Sequence, residues 1–411
     1  MLRCVIAVSL LLLFFSPRTS LADPVKIGAE VLNDEGFQPL KGKKFALITN
    51  NSATVGGVQL LELMERNGVQ PAVIFTPEHG LKGSAEDGVQ IADGSAAGIP
   101  VKSLYGSIKM PRQEDLKGLD LVLFDIQDAG VRFYTYISTM GLAMQAAAQS
   151  GVPFVVLDRP NPLGGDYVSG FVRQALPASF TSLYRIPIAH GMTIGELAGM
   201  IKGEAMLPGL AHLELNVVRM QGWQRSMRWP DTGLPWVATS PNLALFESAL
   251  LYPGTGLLEA TGASEGRGSA QPFRLAGWPG VDAKALALGL NEEKLPGLHF
   301  EPVRFTPVSL PGIASAPKYR DRELGGVRIE ITDYRSVLPV EAGVAIMRAL
   351  YDAIPEAGRE AFFRWGFDDM AGSDLMRKGV QAGEPSGMIA ARWSWELEQF
   401  LNLRKGYLLY D

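Results

Sequence analysis

Short apolar runs alternate with amphipathic stretches through the first half of the chain. Phe45-Ala46-Leu47-Ile48 is the first run, and Leu60 to Asn67 reads as a helix closed by Asn67-Gly68. Ala72 to Phe75, Leu119 to Phe124, Phe154 to Leu157 and Leu213 to Val218 are further runs of strand length. A helical stretch runs from about Ile137 to Gln149. Thr193-Ile194-Gly195-Glu196 has the spacing of a capping box, in which hydroxyl and carboxylate satisfy each other's orphan backbone N–H groups; it opens a helix to about Lys202. Strand-length apolar runs separated by helices imply a parallel sheet buried on both faces. The stretch from about Trp223 to Pro279 is rich in Gly, Pro and Trp and reads as loops, which at such length are often functional. Beyond Val281 the pattern turns α+β, with an alternating strand at Val327 to Ile331 and amphipathic helices at Val340 to Ile354 and Ala391 to Leu403. The expected architecture is α/β: a Rossmann-like parallel-sheet domain over residues 23–250, then a smaller α+β C-terminal domain over 251–411 that completes a cleft.

The N-terminus changes the cellular picture. Arg3, the apolar run Val5 to Phe15 and the small residues of Ser20-Leu21-Ala22 have the layout of a cleaved secretory signal over residues 1–22, with Asp23 first in the mature chain. The run is too short for a membrane anchor, so a periplasmic or extracellular protein with no membrane attachment is expected. Cys4 is the only cysteine and falls inside that segment, which leaves the mature chain no disulfide, thiolate nucleophile or cysteine metal site. The formal charge of −5 and the lack of a basic stripe give no electrostatic footprint for nucleic acid.

In an open parallel sheet, ligands bind beyond the carboxyl ends of the strands. Read there, the chain offers Thr49-Asn50-Asn51, then Thr76-Pro77-Glu78-His79-Gly80, then Asp125-Ile126-Gln127-Asp128 followed by Arg132, Tyr134 and Tyr136, then Asp158-Arg159-Pro160-Asn161. Carboxylates at three neighbouring strand ends, mixed with Arg, His and Tyr, make an active-site edge, with Glu78 and His79 placed for acid/base work. Each also has a structural reading: Glu78 as a turn residue, Asp125 and Asp128 as helix caps, Asp158 as a partner of Arg159. Glu196 is better explained as the capping partner of Thr193, while His190 lies near that helix start. No glycine-rich phosphate loop follows the first strand, which argues against a nicotinamide cofactor, and no His pair at helical spacing suggests a metal. Gly262-Ala263-Ser264-Glu265-Gly266 matches the nucleophile-elbow spacing of serine hydrolases. The elbow needs a helix after it, and Arg267, Gly268 and Pro272 argue for a loop.

With these motifs, the chain resembles the exo-β-N-acetylmuramidase family typified by NamZ. The stretches that carry the resemblance are Thr76 to Gly80, Phe124 to Met140, Leu157 to Gly165, His190 to Leu197, Thr232 to Trp236, Ser240-Pro241-Asn242, Ser264 to Gly268 and Tyr407 to Tyr410; they span nearly the whole mature chain. The resemblance implies an active site in a cleft between the two domains, release of N-acetylmuramic acid from non-reducing ends of peptidoglycan fragments, and Glu78 as a catalytic residue. Glycoside cleavage needs an acid for the leaving oxygen and a group that attacks or stabilises the oxocarbenium-like carbon. Glu78 fits the acid if burial raises its pKa, and the partner is then Asp125, Asp128, Glu265 or the substrate's own acetamido group. The lactyl carboxylate of muramic acid calls for a cation, for which Arg132, Arg159 and Arg267 are candidates. Trp236 and Tyr134 are candidates for stacking on the sugar, and Asn50, Asp158, Asn161 and His190 for polar contacts. No cofactor is implied. Two other classes remain open: a non-catalytic muropeptide-binding protein, and a serine esterase or amidase using Ser264.

Overall fold

The computed structural model describes residues 24–174 and 178–411. The secretory signal read at 1–22 lies outside the described residues. The first domain is built on a seven-stranded sheet. Its strands are β1 (Phe45–Thr49), β4 (Val73–Thr76), β5 (Gly94–Ala96), β6 (Ile99–Ser103), β7 (Leu121–Asp125), β8 (Phe154–Leu157) and β9 (Leu215–Val218), in the order β5-β6-β4-β1-β7-β8-β9; a separate two-residue hairpin forms from β2 (Thr54–Val55) and β3 (Val58–Gln59). All neighbours in the large sheet run parallel except the edge pair β5–β6. The register places Thr49 of β1 beside Asp125 of β7, so the polar strand ends lie together.

The alternation along each central strand sorts side chains to opposite faces. Phe45, Leu47, Leu121 and Leu123 pack with Ala29 and Leu32 of α1 (Gly28–Asp34) and with Leu60 and Met64 of α2 (Leu60–Arg66). Ala46, Ile48, Val122 and Phe124 pack on the other face. They meet Ile137, Met140 and Met144 of α4 (Tyr136–Ser150) and Leu197 and Ile201 of α5 (Ile194–Gly203); the short α3 (Gln113–Leu116) adds Leu116. Burial of each such side chain contributes about 1.5–3 kcal/mol. The capping box forms at the head of α5: Glu196 N donates to Thr193 Oγ1 at 3.2 Å, and Thr193 N donates to Glu196 Oε2 at 3.0 Å.

The second domain has a three-stranded antiparallel sheet, β10 (Leu275–Trp278), β12 (Leu324–Ile331) and β11 (Leu298–Phe305), with β12 central. Helices α6 (Phe246–Thr255), α7 (Ala283–Glu292) and α8 (Pro339–Ala353) join it, followed by short helices α9 (Glu356–Arg359), α10 (Phe367–Ala371), α11 (Leu375–Gln381) and α12 (Ser386–Ala391). Helix α6 and strand β10 fall inside the stretch read from sequence as loops. Pro253-Gly254 looks like a terminator, yet the helix continues because Gly254 is a crossing point. A Cβ added to Gly343 of α8 would stand 2.3 Å from Gly254 Cα, so the two backbones touch there. One hydrophobic core is continuous from the large sheet to Val344, Ile346 and Met347 of α8.

The last helix, α13 (Ser394–Arg404), and the tail return to the first domain. Arg404 Nη1 donates to the carbonyls of Gly165 and Gly191, at 2.9 and 2.7 Å, and Leu409 N donates to Glu196 Oε1 at 2.8 Å. Tyr410 Oη donates to Asp158 Oδ2 at 2.6 Å. Among the described residues no helix is long and apolar enough to cross a membrane.

Candidate active site

A cleft of about 230 Å³ opens beyond the end of β4, walled on one side by the first domain and on the other by the 3-10 turn Gly256–Ala260 and the loop after it. Glu78, His79, Tyr105, Tyr134, Glu259 and Arg267 carry its polar lining, over an aromatic floor of Phe133, Tyr252 and Phe273. The floor rings meet edge to face, Phe133 with Tyr252 at 5.4 Å and Tyr252 with Phe273 at 4.8 Å between centroids. These rings give the cleft an apolar base, with charge concentrated on the walls. A larger groove of about 600 Å³ lies elsewhere, between Arg185 and Trp395, and contains none of the strand-end residues.

Local backbone geometry aims Glu78 into the cleft. His79 and Gly80 both take left-handed conformations, at φ 69° and 73°, so the chain reverses directly after Glu78. Such a conformation costs a non-glycine residue energy. Here His79 is held by its own ring, whose Nδ1 lies 2.7 Å from the Ala85 carbonyl. That contact requires a proton on Nδ1 and leaves Nε2 of a neutral ring as an acceptor. Glu78 is 8% exposed. Its Oε2 accepts from Thr135 Oγ1 at 2.7 Å, at the head of α4, and its Oε1 accepts from Gly88 N at 3.0 Å. The Tyr105 hydroxyl lies near Glu78 in the same cleft; burial, then the Glu78 charge, pushes that phenol well above its ordinary pKa, so it remains a donor.

Arg267 forms the opposite wall. Its Nε donates to Glu259 Oε1 at 3.1 Å and its Nη2 binds the same oxygen, while Nη1 reaches Asp87 at 2.8 Å. The guanidinium lies 5.2 Å from the Phe273 ring centre. Burial raises the pKa of Glu259, and the facing Arg267 offsets part of that shift. Arg267 is held firmly protonated: its three acidic neighbours outweigh the burial that acts against its charge.

The other strand-end residues have protein partners. Asp125 is enclosed and gripped by Arg159 through two bonds, Nε to Oδ1 at 2.6 Å and Nη2 to Oδ2 at 2.8 Å, which commits both residues to each other. Arg132 is fully buried and donates to the carbonyls of Phe171, Ile186 and Met370. Asp158 accepts from Thr193 Oγ1 and Gly195 N, both at 2.8 Å, as well as from Tyr410. Asn161 donates to Met192 O and accepts from Leu163 N, and Asn50 joins Ser52 to the Tyr136 hydroxyl. His190 is enclosed; burial first, then Arg404 and Arg132, lower its pKa to about 3, so it is neutral at physiological pH. Trp236 donates to Leu243 O and packs against Trp229 and Phe246. Asp128 is buried, with Oδ2 accepting from Gly130 N at 2.7 Å, and does not line the cleft. Glu265 pairs with Lys318 Nζ at 2.8 Å. Ser264 bridges Gly277 of β10, and its hydroxyl accepts from Gly266 N at 3.2 Å, so the strand-turn-helix form of a nucleophile elbow is absent at this position.

Thus the structure gathers Glu78, His79, Tyr134 and Arg267 in one cleft and adds Glu259, Tyr105, Thr135 and Asp87, which sequence reasoning passed over. Glu259 had a legible signal: it is the one charge in the apolar run Leu257-Leu258-Glu259-Ala260. Tyr105 had none, because β6, two residues before it, was not read as a strand. Among the described residues no cluster of His, Cys, Asp and Glu is suited to a metal ion.

Comparison with known proteins decides the family. Residues 45–247 match the model for the N-terminal part of the exo-β-N-acetylmuramidase NamZ, and residues 250–410 match the model for its C-terminal part. The chain belongs to the NamZ family. It is 39% identical over 399 residues to the peptidoglycan β-N-acetylmuramidase NamZ of Bacillus subtilis, covering 96% of this chain and 93% of that protein. Two solved DUF1343 family proteins from Bacteroides fragilis share the fold, with TM-scores of 0.85 and 0.77 at 34% and 32% identity. Each comparison covers 94% of this chain and 99% of the other. The cleft brings Glu78 and His79, inside the N-terminal match, to face Arg267, inside the C-terminal match.

Proposed function

We propose that this chain is an exo-acting glycoside hydrolase that releases N-acetylmuramic acid from the non-reducing ends of peptidoglycan fragments. The observation that carries the reading is the pairing, in one cleft, of the buried carboxylate Glu78 with the cation Arg267. The activity named for the Bacillus subtilis relative supports it. Glu78 donates the proton to the leaving glycosidic oxygen, while Arg267 receives the lactyl carboxylate that distinguishes muramic acid from glucosamine. Of the other carboxylates lining the cleft, Glu259 is bound by Arg267 Nε and Nη2 and Asp87 sits half exposed on a loop, so neither offers an enclosed nucleophile for the anomeric carbon. This arrangement favours participation by the substrate's own acetamido group. The test is hydrolysis of a chromogenic N-acetylmuramide beside the matching N-acetylglucosaminide. Preferential cleavage of the muramide is expected. Cleavage of neither, by a protein that still binds muramic acid, would favour a muropeptide-binding role instead.

The same reading places the enzyme outside the cytoplasm, where its substrate lies. Arg3, the apolar run Val5 to Phe15 and Ser20-Leu21-Ala22 support export. N-terminal sequencing of the protein made by its native host is expected to begin at or near Asp23; a soluble cytoplasmic product that retains Met1 would refute export.

A further inference from the structure

Three carboxylates reach Arg267, and they are not equivalent. Glu265 is tied to Lys318 and stands 3.6 Å from Arg267 Nε. Glu259, on its 3-10 turn, holds Nε and Nη2. Asp87 holds Nη1 at 2.8 Å from a stretch between β4 and β5 that forms only turns and bends, next to Gly88 at φ 75°. The Asp87 side chain is 50% exposed, against 23% for Glu259 and 3% for Glu265. The inner edge of the guanidinium is therefore held by the less exposed Glu259 with Glu265 nearby, and its outer edge by a solvent-facing carboxylate on a loop.

The residues on either side of Asp87 bind elsewhere. Glu86 accepts from Gly312 N at 2.8 Å, from Ser315 N at 3.2 Å and from Ser315 Oγ, which anchors the loop to the second domain. Gly88 N donates to Glu78 Oε1 at 3.0 Å. Asp87 thus sits between a fixed anchor and a link to the carboxylate assigned to proton transfer.

We infer that Asp87 is a resident placeholder for the substrate's lactyl carboxylate. An incoming muramic carboxylate takes over Arg267 Nη1 and sends Asp87 into solvent, and the movement of the adjacent Gly88 frees Glu78 Oε1 for the glycosidic oxygen. The inference rests on the substrate reading given above. Exchanging one carboxylate for another on the same guanidinium leaves the arginine paired throughout, so the swap avoids exposing a buried charge. An N-acetylglucosaminide has no carboxylate to offer. It leaves Asp87 in place and Glu78 bonded to Gly88, so selection for muramic acid acts on the readiness of Glu78 as well as on binding.

Calorimetric titration with free N-acetylmuramic acid and, separately, N-acetylglucosamine tests the exchange in the whole protein. Removing the competitor by Asp87→Ala should tighten N-acetylmuramic acid about two- to fivefold, the range expected for release of a half-exposed ion pair, and leave N-acetylglucosamine unchanged. Asp87→Asn, closer in shape, should give a gain of the same sign. Adding Arg267→Ala should erase it. Unchanged or weaker muramic acid binding by both Asp87 variants overturns the proposal, as does equal tightening of the two sugars, which would mean a cleft merely opened. Absence of any muramic acid binding by the parent and Asp87→Ala alike overturns it too. The titration reads binding alone, so tightening without any muramide hydrolysis would refute the hydrolase reading and leave the exchange standing.

Discussion

The hydroxyl of Thr135 donates to Glu78 Oε2 at 2.7 Å, joining the head of the core helix α4 to the carboxylate at the end of β4. With Gly88 on the other oxygen, the Glu78 side chain is gripped from two elements that are far apart in sequence. The Thr135 bond holds Oε2 while Oε1 passes from Gly88 to the substrate, so the side chain needs little reorganisation to reach the transition state.

Thr135→Val keeps the shape and removes the donor. Turnover of a muramide is expected to fall about tenfold or more with a smaller change in KM, because the loss is in the alignment of Glu78 rather than in sugar binding. Thr135→Ser should restore most of the activity. A fall in thermal stability with unaltered kcat would show instead that Thr135 only supports the helix.

Two of the candidate arginines, Arg267 and Arg159, should separate cleanly. Arg267→Ala is expected to lower kcat/KM for the muramide about a hundredfold while sparing the glucosaminide, since a substrate carboxylate would be left unpaired. Arg159→Ala should act through the fold: it strands the enclosed Asp125 and is expected to cost about 3–5 kcal/mol in chemical denaturation. Equal loss on both sugars for Arg267→Ala, or retained substrate preference, would place the carboxylate clamp elsewhere.

This separation also marks what the sequence could reveal. The strand ends were legible because apolar runs such as Phe154 to Leu157 stop where polar residues begin, and sheet register then brings those ends together. Which polar residue faces solvent and which faces its neighbour was not legible. Asp125 and Asp158 sit at the ends of adjacent strands with similar local sequence, yet one is saturated by Arg159 and the other by Thr193 and the distant Tyr410. Helix α6 was hidden for a related reason: Gly254 reads as a breaker until Gly343, on another helix, supplies the close contact that requires it. The wall built by Glu259, Asp87 and Arg267 needs two chain segments to meet, and periodicity carries no record of that meeting.

Asp128 predicts a pH signature in stability. Burial raises its pKa from 3.8 to about 7 in the native protein, with bonds from Gly130 and Ala129 opposing in part. Below about pH 4 both folded and unfolded chains hold the proton and the site is neutral in effect. As pH rises toward 7 the unfolded chain releases the proton first, so native stability declines by up to the order of 4 kcal/mol from this group. Asp128→Asn has no such decline. The stability of the variant relative to the parent, from urea midpoints, should therefore rise between pH 4 and 7 and level off above. A difference that is flat with pH would mean that Asp128 is ionised in the native state throughout this range.

Glu78→Gln tests the chemistry most directly. The substitution can keep the local structure. Its amide oxygen can accept from Gly88 N, and the Thr135 hydroxyl can rotate to accept from the amide nitrogen. The variant should fold and still bind muramic ligands through Arg267. It has no proton to give to a leaving oxygen, so turnover of a natural disaccharide is expected to fall by about 100- to 10,000-fold. An aryl muramide with an acidic phenol departs with little protonation, so the loss on that substrate should be much smaller if Glu78 acts purely as an acid. Equal and severe losses on both would assign Glu78 to the anomeric carbon, as nucleophile or as stabiliser of its developing charge, and would move proton donation to another group such as Tyr105. Near-parental turnover of both substrates would remove Glu78 from catalysis and leave it as the residue that ties the turn after β4 to the head of α4.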